Sequence, residues 1–393
     1  MKDNFEIGII GGGPAGSTAA AYLASYGFDV CLFEKKSFPR EMLCGEFLSI
    51  EVIYFLKQLD LFEEFISLQP NKVRSFRLFN NSGKNIYSKF NFEAYGLSRS
   101  SFDNLLLCNA KRKGVSVFQP AEAIKIIHNV KSYQLIIKNN EKKESNITVK
   151  YLIAAYGKQS PLDNHLKRNF IKERSKLNAV KFHINRNDLK EFAEDEIQIY
   201  TADNIYCGVN AVDKNKVTFC FLEDRNKEQP PPRMQLIELQ KQNKAFKKLF
   251  NGNDENLFDN LPVYGTGNIY FGKRNIVEDG IFFIGDAAGV IAPLSGDGIG
   301  IAMESGKLIA DLFQKKRKEN LSKEELESLF IKKWNKLFSN RMKTAKTIQW
   351  FILKKFSRNT GFLLVHSFTS LLQYLIKTTR NTFEKGMSNV KSE

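Results

Sequence analysis

The chain has 393 residues and 42% hydrophobic content, enough to bury a large core in two or three domains, which excludes a wholly disordered protein. Its formal charge of +16 would attract phosphates, nucleic acid or an anionic membrane surface. The charge is concentrated late in the chain: from Lys307 onward, 19 Lys and Arg face 7 Asp and Glu, which accounts for +12. The five cysteines show no CxxC spacing, so they indicate reduced thiols and a cytoplasmic location.

The N-terminal segment predicts a βαβ unit. Residues 5–10 read as a short apolar strand, 11–16 as a glycine turn, 17–26 as an alanine-rich helix and 29–33 as a second strand. The apolar stretch lacks the basic residues of an export signal, and a cofactor motif accounts for its glycines. We therefore expect the chain to open with a nucleotide-binding unit.

The glycine turn satisfies GxGxxG directly after a strand and before a helix. Gly11 permits the tight turn, Gly13 lets the backbone approach a pyrophosphate, and Gly16 lets helix and strand pack closely. Glu34, at the end of the next strand, can accept hydrogen bonds from ribose hydroxyls. The predicted contacts in this unit are Gly11, Gly13, Pro14, Ala15, Gly16, Glu34 and Lys35.

The middle of the chain predicts a second, antiparallel sheet. Residues 205–211 and 217–222 form a predicted hairpin over the turn at 213–216, and 234–250 is a predicted helix. Other strands are predicted at 73–92 (around a turn at 80–83), 115–118, 133–138 and 148–155, and other helices at 47–66 and 101–113.

A second cofactor motif begins near residue 280, where an apolar strand leads into Gly285-Asp286. This segment is similar to the second flavin motif of the para-hydroxybenzoate hydroxylase-type flavoproteins, in which the Asp binds the ribityl chain of FAD. The following stretch, 293–303, resembles the helix entry whose backbone amides meet the pyrimidine end of the flavin. A helix N-terminus at that place stabilises an anionic reduced flavin. Everything after Gly298 is predicted to be helical.

Within that superfamily the chain resembles the geranylgeranyl reductase branch over most of residues 1–310. Phe38-Pro39-Arg40 leading to Cys44-Gly45, Arg99 with Phe102-Asp103, and the Gly298-Ile299 turn carry the likeness. The resemblance implies FAD contacts at Ala15, Glu34, Gly45, Arg99, Ala123, Asp286, Gly298 and Ile299, and we add the neighbouring Lys35, Arg40, Cys44, Gly285 and Gly296 to this candidate set.

One motif departs from the superfamily pattern, which usually reads Ala-Asp-Gly where this chain has Ala155-Tyr156-Gly157. That motif is associated with flavin and nicotinamide contacts, and no second Rossmann glycine motif follows. NAD(P)H is therefore expected to act, if at all, as a transient electron donor, and other donors stay open.

Cys44 is the one catalytic candidate, because the resemblance places it beside flavin and substrate. A thiol at that position can donate a proton or pack as a small hydrophobe, and the sequence leaves both readings open. The four histidines show no metal-like spacing, so no metal is predicted.

These observations predict an α/β protein with a Rossmann-like FAD-binding domain, an antiparallel substrate-binding sheet and a helical C-terminal region. The FAD-binding domain is expected at 1–70, 96–160 and 265–310, the substrate domain at 71–95 and 161–264, and the basic helical region at 311–393.

Two chemistries fit an FAD site beside a pocket for an apolar or aromatic substrate. A reductase would deliver hydride to an alkene, such as that of an isoprenoid, whereas a monooxygenase would use NAD(P)H and oxygen to hydroxylate an aromatic ring. A non-catalytic flavin-binding module is a third hypothesis. Flavin-dependent halogenases share the architecture but carry a WxWxIP motif, and the two tryptophans here, Trp334 and Trp350, lie in the helical tail.

The basic C-terminal region has two interpretations: solvated helices that cap the core, or an amphipathic surface for an anionic membrane or an acidic carrier. Residues 350–355 are the expected contact in the second case. Residues 359–376 are too polar for a confident membrane span, and no nucleic-acid reading motif accompanies the charge. The chain is thus expected in the cytoplasm, with peripheral contact at the inner face of the membrane as an alternative.

Overall fold

The computed structural model describes residues 2–173, 175–225, 231–250 and 255–354, together with Phe362 and Thr378. Its helices are α1 (Pro14–Ser25), α2 (Ile50–Gln58), α3 (Phe62–Ser67), α4 (Arg99–Arg112), α5 (Pro161–His165), α6 (Pro232–Gln242), α7 (Lys244–Lys247), α8 (Glu255–Asp259), α9 (Gly298–Glu319) and α10 (Lys323–Leu353). Its strands are β1 (Asn4–Ile10), β2 (Val30–Phe33), β3 (Phe47–Leu48), β4 (Asn71–Phe79), β5 (Asn85–Gly96), β6 (Ser116–Phe118), β7 (Ala121–Asn129), β8 (Ser132–Asn139), β9 (Glu144–Ala154), β10 (Leu177–Asn185), β11 (Glu196–Ala202), β12 (Ile205–Ala211), β13 (Lys216–Asp224), β14 (Tyr264–Thr266), β15 (Gly272–Lys273), β16 (Val277–Glu278), β17 (Ile281–Phe283) and β18 (Gly289–Val290).

The first sheet has a parallel centre in the order β17-β9-β1-β2-β6. β16 pairs antiparallel with β17 at one edge, and β7 and β8 form an antiparallel extension on β9. The predicted opening βαβ unit is confirmed as β1, α1 and β2. Its turn requires glycine at two points: Gly11 has φ +108°, and a Cβ on Gly16 would collide with the carbonyl oxygen of Gly11.

The second sheet has the order β14-β10-β13-β12-β11-β4-β5-β3. It is antiparallel, as predicted, except that β11 runs parallel to β4. The chain leaves this sheet after β5, passes through the first sheet and returns at β10, and only such a long connection allows a parallel pair. One face packs against α6, α7 and α8 through an apolar cluster that includes Phe182, Phe219 and Phe246. The opposite face is turned toward the first sheet.

The helix predicted over 234–250 is interrupted at Asn243, so this prediction is wrong in part. Asn243 has an extended backbone, and its side-chain oxygen accepts hydrogen bonds from the amides of Ala245 and Phe246 at 3.0 and 2.9 Å. Its amide nitrogen donates to the carbonyls of Asn80 and Thr201. An asparagine that caps a new helix and binds a neighbouring turn ends the preceding one.

α9 and α10 confirm the predicted helical region as far as residue 353. α9 ends at Glu319, and a capping box of Ser322 and Glu325 starts α10 three residues later. Trp334 and Phe338 are buried against the core of the first sheet, so this part of α10 caps the core as the first interpretation expected. Within the described part of the chain, no helix is long and apolar enough to cross a membrane, and the stretch 359–376 lies outside that part except for Phe362.

The division into two domains and a C-terminal region stays a proposal. β3 bears on this division, because the strand lies within the first segment of the expected FAD-binding domain, 1–70, yet pairs with β5 in the second sheet.

A buried carboxylate, Glu46, joins the loop before β3 to the second sheet. It is completely buried, and it binds Lys181 Nζ at 2.9 Å through Oε1 and His183 Nε2 at 2.7 Å through Oε2. It also accepts hydrogen bonds from the Thr218 hydroxyl and from the Arg99 amide. Burial opposes ionisation, but the hydrogen bond from His183 and the charge of Lys181 outweigh it and lower the pKa of Glu46 to about 2.

This lowered pKa makes the stability of the fold pH-dependent. A carboxyl with a lower pKa in the folded state stabilises the fold above its unfolded pKa, and the contribution is lost as the pH falls through the folded pKa. From 4.5 to about 2, the shift corresponds to about 3 kcal/mol. Glu46→Gln should therefore lower the free energy of unfolding by about 3 kcal/mol at neutral pH, and the loss should fade from about pH 4.5 down to about pH 2 in urea unfolding followed by circular dichroism.

Glu223→Gln is the matched control, because burial raises the pKa of Glu223 and its charge opposes folding at neutral pH. This change is expected not to lower the free energy of unfolding there. A loss for Glu46→Gln that is the same at every pH would contradict the electrostatic role.

Candidate functional site

A cavity of about 1060 Å³ lies between the two sheets. The carboxyl ends of the parallel strands form one wall, the second sheet forms another, and the loop before β3 and the end of α10 complete it. Ligands in open α/β sheets bind outside these carboxyl ends, and the volume lies at the upper limit of about 300–1,000 Å³ for small-molecule pockets. The cavity is therefore the candidate site for a large cofactor together with a substrate.

At one end of the cavity, Glu34 closes the glycine turn. One carboxylate oxygen accepts the Gly12 amide at 2.9 Å, and the other accepts the Lys36 amide at 3.0 Å. Arg40 approaches the first oxygen at 3.3 Å. The carboxylate is thus fixed at the rim, where further lone pairs are available for ribose hydroxyls.

Two arginines share one buried carboxylate next to this turn. Arg99 binds Asp103 through two bonds of 2.6 and 2.8 Å, and Arg40 reaches the same carboxylate at 3.2 Å. Burial opposes the charge of Arg99, but Asp103 outweighs it and raises the pKa of the guanidinium. Arg99 is therefore a permanently charged group held in place by Asp103, with its edge on the cavity.

The start of α1 fits a pyrophosphate. Gly13 caps the helix, no side chain satisfies its first amides, and a Cβ on Gly13 would meet only the guanidinium ends of Arg40 and Arg99, both at 3.9 Å. Backbone amides at a helix N-terminus that are not capped by a side chain form an anion-binding site when two cations flank them. These residues fit the diphosphate of FAD.

At the other end, a second turn approaches the cavity. Asp286 lies on it and forms an ion pair with Lys158 at 3.1 Å, both partly exposed to the cavity. Gly296 has φ +62°, which ends a short 3-10 helix and aims the start of α9 at the cavity. Gly298 and Ile299, in the first turn of this 22-residue helix, line it. The dipole of a helix whose N-terminus lies at this position can stabilise the negative charge of a reduced flavin ring.

The structure brings nearly all of the predicted residues to this cavity. Gly16 and Gly285 do not line it; they act through packing, since a Cβ on Gly285 would lie 2.8 Å from that of Ala15. The predicted residues that line it are Gly11, Gly13, Pro14, Ala15, Glu34, Lys35, Arg40, Cys44, Gly45, Arg99, Ala123, Asp286, Gly296, Gly298 and Ile299.

Cys44 is half-buried on the cavity wall, and its sulfur accepts a hydrogen bond from the Glu46 amide at 3.3 Å. All five cysteines are free thiols. Burial raises the pKa of Cys220, which faces the cavity from β13, to about 12, so this thiol stays protonated at neutral pH.

Sequence reasoning missed a polar cluster beneath Cys44. It comprises Glu41, Glu46, Lys181 and His183, and of these Glu41 and Glu46 lie in the loop that lines the cavity. Polar and apolar residues alternate over 180–184, which could have indicated this cluster. Apolar residues at 180, 182 and 184 place Lys181 and His183 on the other face of the strand. Nothing in the sequence, however, paired that face with a loop some 140 residues earlier.

The remaining wall is apolar and has no counterpart in the predicted site. It is formed by β4, β5 and β11 of the second sheet, by the loops around β15 and β18, and by the end of α10. Its side chains include Phe76, Leu78, Ile86, Phe90, Ile197, Ile199, Ile269, Phe271, Leu294, Ile348, Phe351 and Ile352.

Comparison with known proteins identifies the cofactor. The family model of the FAD binding domain matches residues 4–327. The digeranylgeranylglycerophospholipid reductase of Thermoplasma acidophilum is 25% identical over 365 residues, covering 90% of this chain and 88% of that protein. The menaquinone reductase of Mycobacterium tuberculosis is 22% identical over 390 residues, covering 97% and 92%.

Among solved structures, a triple mutant of the flavin-dependent brominase Bmp2 has the same fold. Its TM-score is 0.78 at 16% identity, with 99% of this chain and 100% of that chain covered. The fold is thus common to flavoproteins of different chemistry. Since the model of the FAD binding domain spans residues 4–327, more than half of the chain, the chain belongs to that family and is an FAD-dependent oxidoreductase similar to the geranylgeranyl lipid reductases.

Proposed function

We propose that this oxidoreductase reduces carbon–carbon double bonds in the isoprenoid chain of a lipid. The apolar wall of the cavity carries the proposal, because its side chains come from three strands of the second sheet, two loops and the end of α10, a larger surface than a single aromatic ring would need. Two relatives matched over nearly their whole length are named as reductases, one of them of a geranylgeranyl lipid. No feature of the described residues favours aromatic hydroxylation in the same way.

In this proposal FAD lies along the polar wall. Glu34 would bind the ribose, the first amides of α1 with Arg40 and Arg99 would bind the diphosphate, and Asp286 would bind the ribityl chain in exchange for Lys158. The start of α9 would face the flavin ring. Once bound and reduced, FAD would supply the hydride, and the apolar wall would exclude water and align the chain.

Halogenation is not proposed, although a brominase shares the fold. Both tryptophans lie on α10, where Trp334 is buried in the core and Trp350 is exposed. Neither lies in the cavity wall. A nicotinamide as the source of electrons stays a prediction.

The function is tested by following the absorbance of the flavin in a single turnover, without a nicotinamide. FAD-loaded protein is reduced with dithionite under anaerobic conditions and mixed with digeranylgeranylglycerophospholipid in detergent micelles. We expect the absorbance of oxidised flavin to return and mass spectrometry to show added hydrogen in the lipid. Ile199→Trp, which fills the apolar part, should slow this step by about tenfold or more while dithionite reduction is unchanged.

Gly16→Ala is the control without cofactor, because the added methyl group collides with Gly11 and should yield colourless protein. If the wild type is not reoxidised by the lipid but consumes oxygen and hydroxylates an aromatic compound, the monooxygenase hypothesis replaces this one.

We also propose that the end of α10, which lines the cavity, contacts an anionic membrane. Trp350 and Phe351 are 55% and 46% exposed, and Lys343 and Lys346 are exposed on the same helix. Phe351 also lines the cavity, so a lipid chain could pass from bilayer to cavity along it. Leu353, which the sequence placed in this contact, is buried, and residue 355 lies outside the described residues.

Flotation with vesicles rich in anionic lipid tests this contact. The wild type should float with the vesicles, less so at high salt, because aromatic insertion and lysine charge act together. Changing Trp350 and Phe351 together to Ser should lower the bound fraction about tenfold or more. Ile331→Ser is the matched control, since this residue is 39% exposed near the other end of the same helix. Equal binding of wild type and double variant would contradict the proposal.

A further inference from the structure

The face of the second sheet that is turned to the cavity carries a small polar patch that the FAD contacts do not use. Lys181 pairs across the strands with Cys220, and His183 pairs with Thr218. Cross-strand partners project from the same face, so these four side chains form one patch. Glu46 covers it from the loop above, with Cys44 two residues away at the cavity wall.

Two charged groups at this patch, Lys181 and the covering Glu46, keep their charge. Lys181 is completely buried, and its ammonium lies 2.8 Å from Glu41 Oε2 and 2.9 Å from Glu46 Oε1. Burial would discharge it, but the charges of Glu46 and Glu41 outweigh that effect and raise the pKa of Lys181. Glu46 stays ionised for the reciprocal reason. This pair can hold neighbours in place but cannot carry a proton at neutral pH.

Glu41, on the loop beside the patch, and His183 are placed to exchange a proton. Glu41 lines the cavity with a side chain that is 20% exposed. His183 binds Glu46 through Nε2, which leaves Nδ1 facing Glu41 Oε1 at 3.9 Å. Because ionised Glu46 accepts the hydrogen bond that His183 Nε2–H donates, the imidazole can take up or release its other proton at Nδ1. This nitrogen lies on the side of Glu41.

A metal ion is the competing explanation for this cluster. Ligand atoms of Glu41, Glu46 and His183 lie within 4.8 Å of one another, close enough to hold one. The Lys181 ammonium, however, already lies between the two carboxylates as an internal cation. We therefore assign no metal ligands here, and the absence of a metal stays a prediction.

We infer that Glu41 is the acid that delivers a proton into the cavity, and that His183 reloads it. The inference rests on the proposed reduction of a double bond, which needs a proton at one carbon and a hydride at the other. The proton leaves the Glu41 carboxyl, a new C–H bond forms as the π bond breaks, and the hydride comes from flavin reduced by dithionite or a nicotinamide. The resulting carboxylate then receives a proton from His183, which takes its own from water.

Other charged or titratable groups lie around this pair. They are Lys181 on β10, Cys220 on β13, Tyr264 on β14, Arg99 on α4, and Cys44 and Glu46 on the loop.

The first test does not need the lipid. The negative charge of reduced flavin should draw a proton onto Glu41, so FAD-loaded wild type should take up about two protons for every two electrons around neutral pH, one of them on the flavin. Potentiometric titration of the full chain at a series of pH values measures this number. Glu41→Gln should lower it to about one, whereas His183→Asn should leave it unchanged, because His183 only reloads the acid.

The second test uses the lipid reoxidation described above. Glu41→Gln should slow it by about 10²–10⁴-fold, with Glu41→Asp partly restoring the rate. The wild-type rate should fall as the pH rises, because the acid loses its proton, and Glu41→Gln should remove this dependence. His183→Asn should slow repeated turnover more than the first turnover. Glu196→Gln is the matched control, a buried carboxylate in the same sheet that binds Arg77 and does not line the cavity.

The two tests separate this inference from the proposed function. If the wild type fails to reduce the lipid, the proposed substrate is wrong. The number of protons taken up on reduction of the flavin then still tests the role of Glu41. If wild type and Glu41→Gln take up equal numbers of protons, the relay is overturned whatever the substrate. If Glu41→Gln does not fold, Glu41→Asp and His183→Asn still give the pH profile and the turnover comparison.

Discussion

The arrangement of the cavity depends on the buried charge of Glu46. Its side chain binds Lys181, His183 and Thr218 in the second sheet, and its carbonyl accepts a hydrogen bond from Asn210 at 3.1 Å. Its backbone has φ +58°, a conformation that costs free energy for a residue other than glycine. A charge removed from water is tolerated only when every partner is in place. One residue thus holds the loop that carries Glu41 and Cys44 against the second sheet.

This connection explains why the two walls of the cavity can have different chemistry. The wall on the first sheet is built from a glycine turn, helix N-termini and paired charges. Proteins that bind a dinucleotide on such a fold use the same types of element. The wall on the second sheet is made of side chains from a separate element, so it can change without disturbing the cofactor. A shared fold with a brominase and a shared resemblance to reductases are therefore compatible, and the lining decides between them.

The parts predicted from the sequence were those whose physical cause is local. The glycine turn, the strand before Asp286 and the helix starting at Gly298 each depend on neighbouring residues. The Arg99 and Asp103 pair was also readable, since residues four apart on a helix bring such side chains together, but the sequence analysis gave Arg99 only as an FAD contact. Lys181 with Glu46, the parallel pairing of β11 with β4 and the break at Asn243 depend on contacts between distant segments, which no local pattern encodes.

Tyr156 stands where the superfamily pattern has an Asp, and a carboxylate from elsewhere in the chain lies beside it. The Tyr156 hydroxyl donates to Asp163 at 2.6 Å, and Arg168 binds the same carboxylate at 3.3 Å and the carbonyl of Ala287 at 2.9 Å. A carboxylate is therefore still present beside this turn, supplied seven residues later. Through Ala287, Arg168 also links this turn to the segment of Asp286.

Burial raises the pKa of Tyr156, so its hydroxyl keeps the proton that it donates to Asp163. Because that hydroxyl is bound by Asp163 and Arg168, it is not available to a nicotinamide that approaches this turn. The walls that would hold FAD are unaffected, since Glu34, the start of α1 and Asp286 keep their places on the cavity. The substitution therefore leaves these walls of the cavity unchanged, and NAD(P)H as the electron donor stays a prediction.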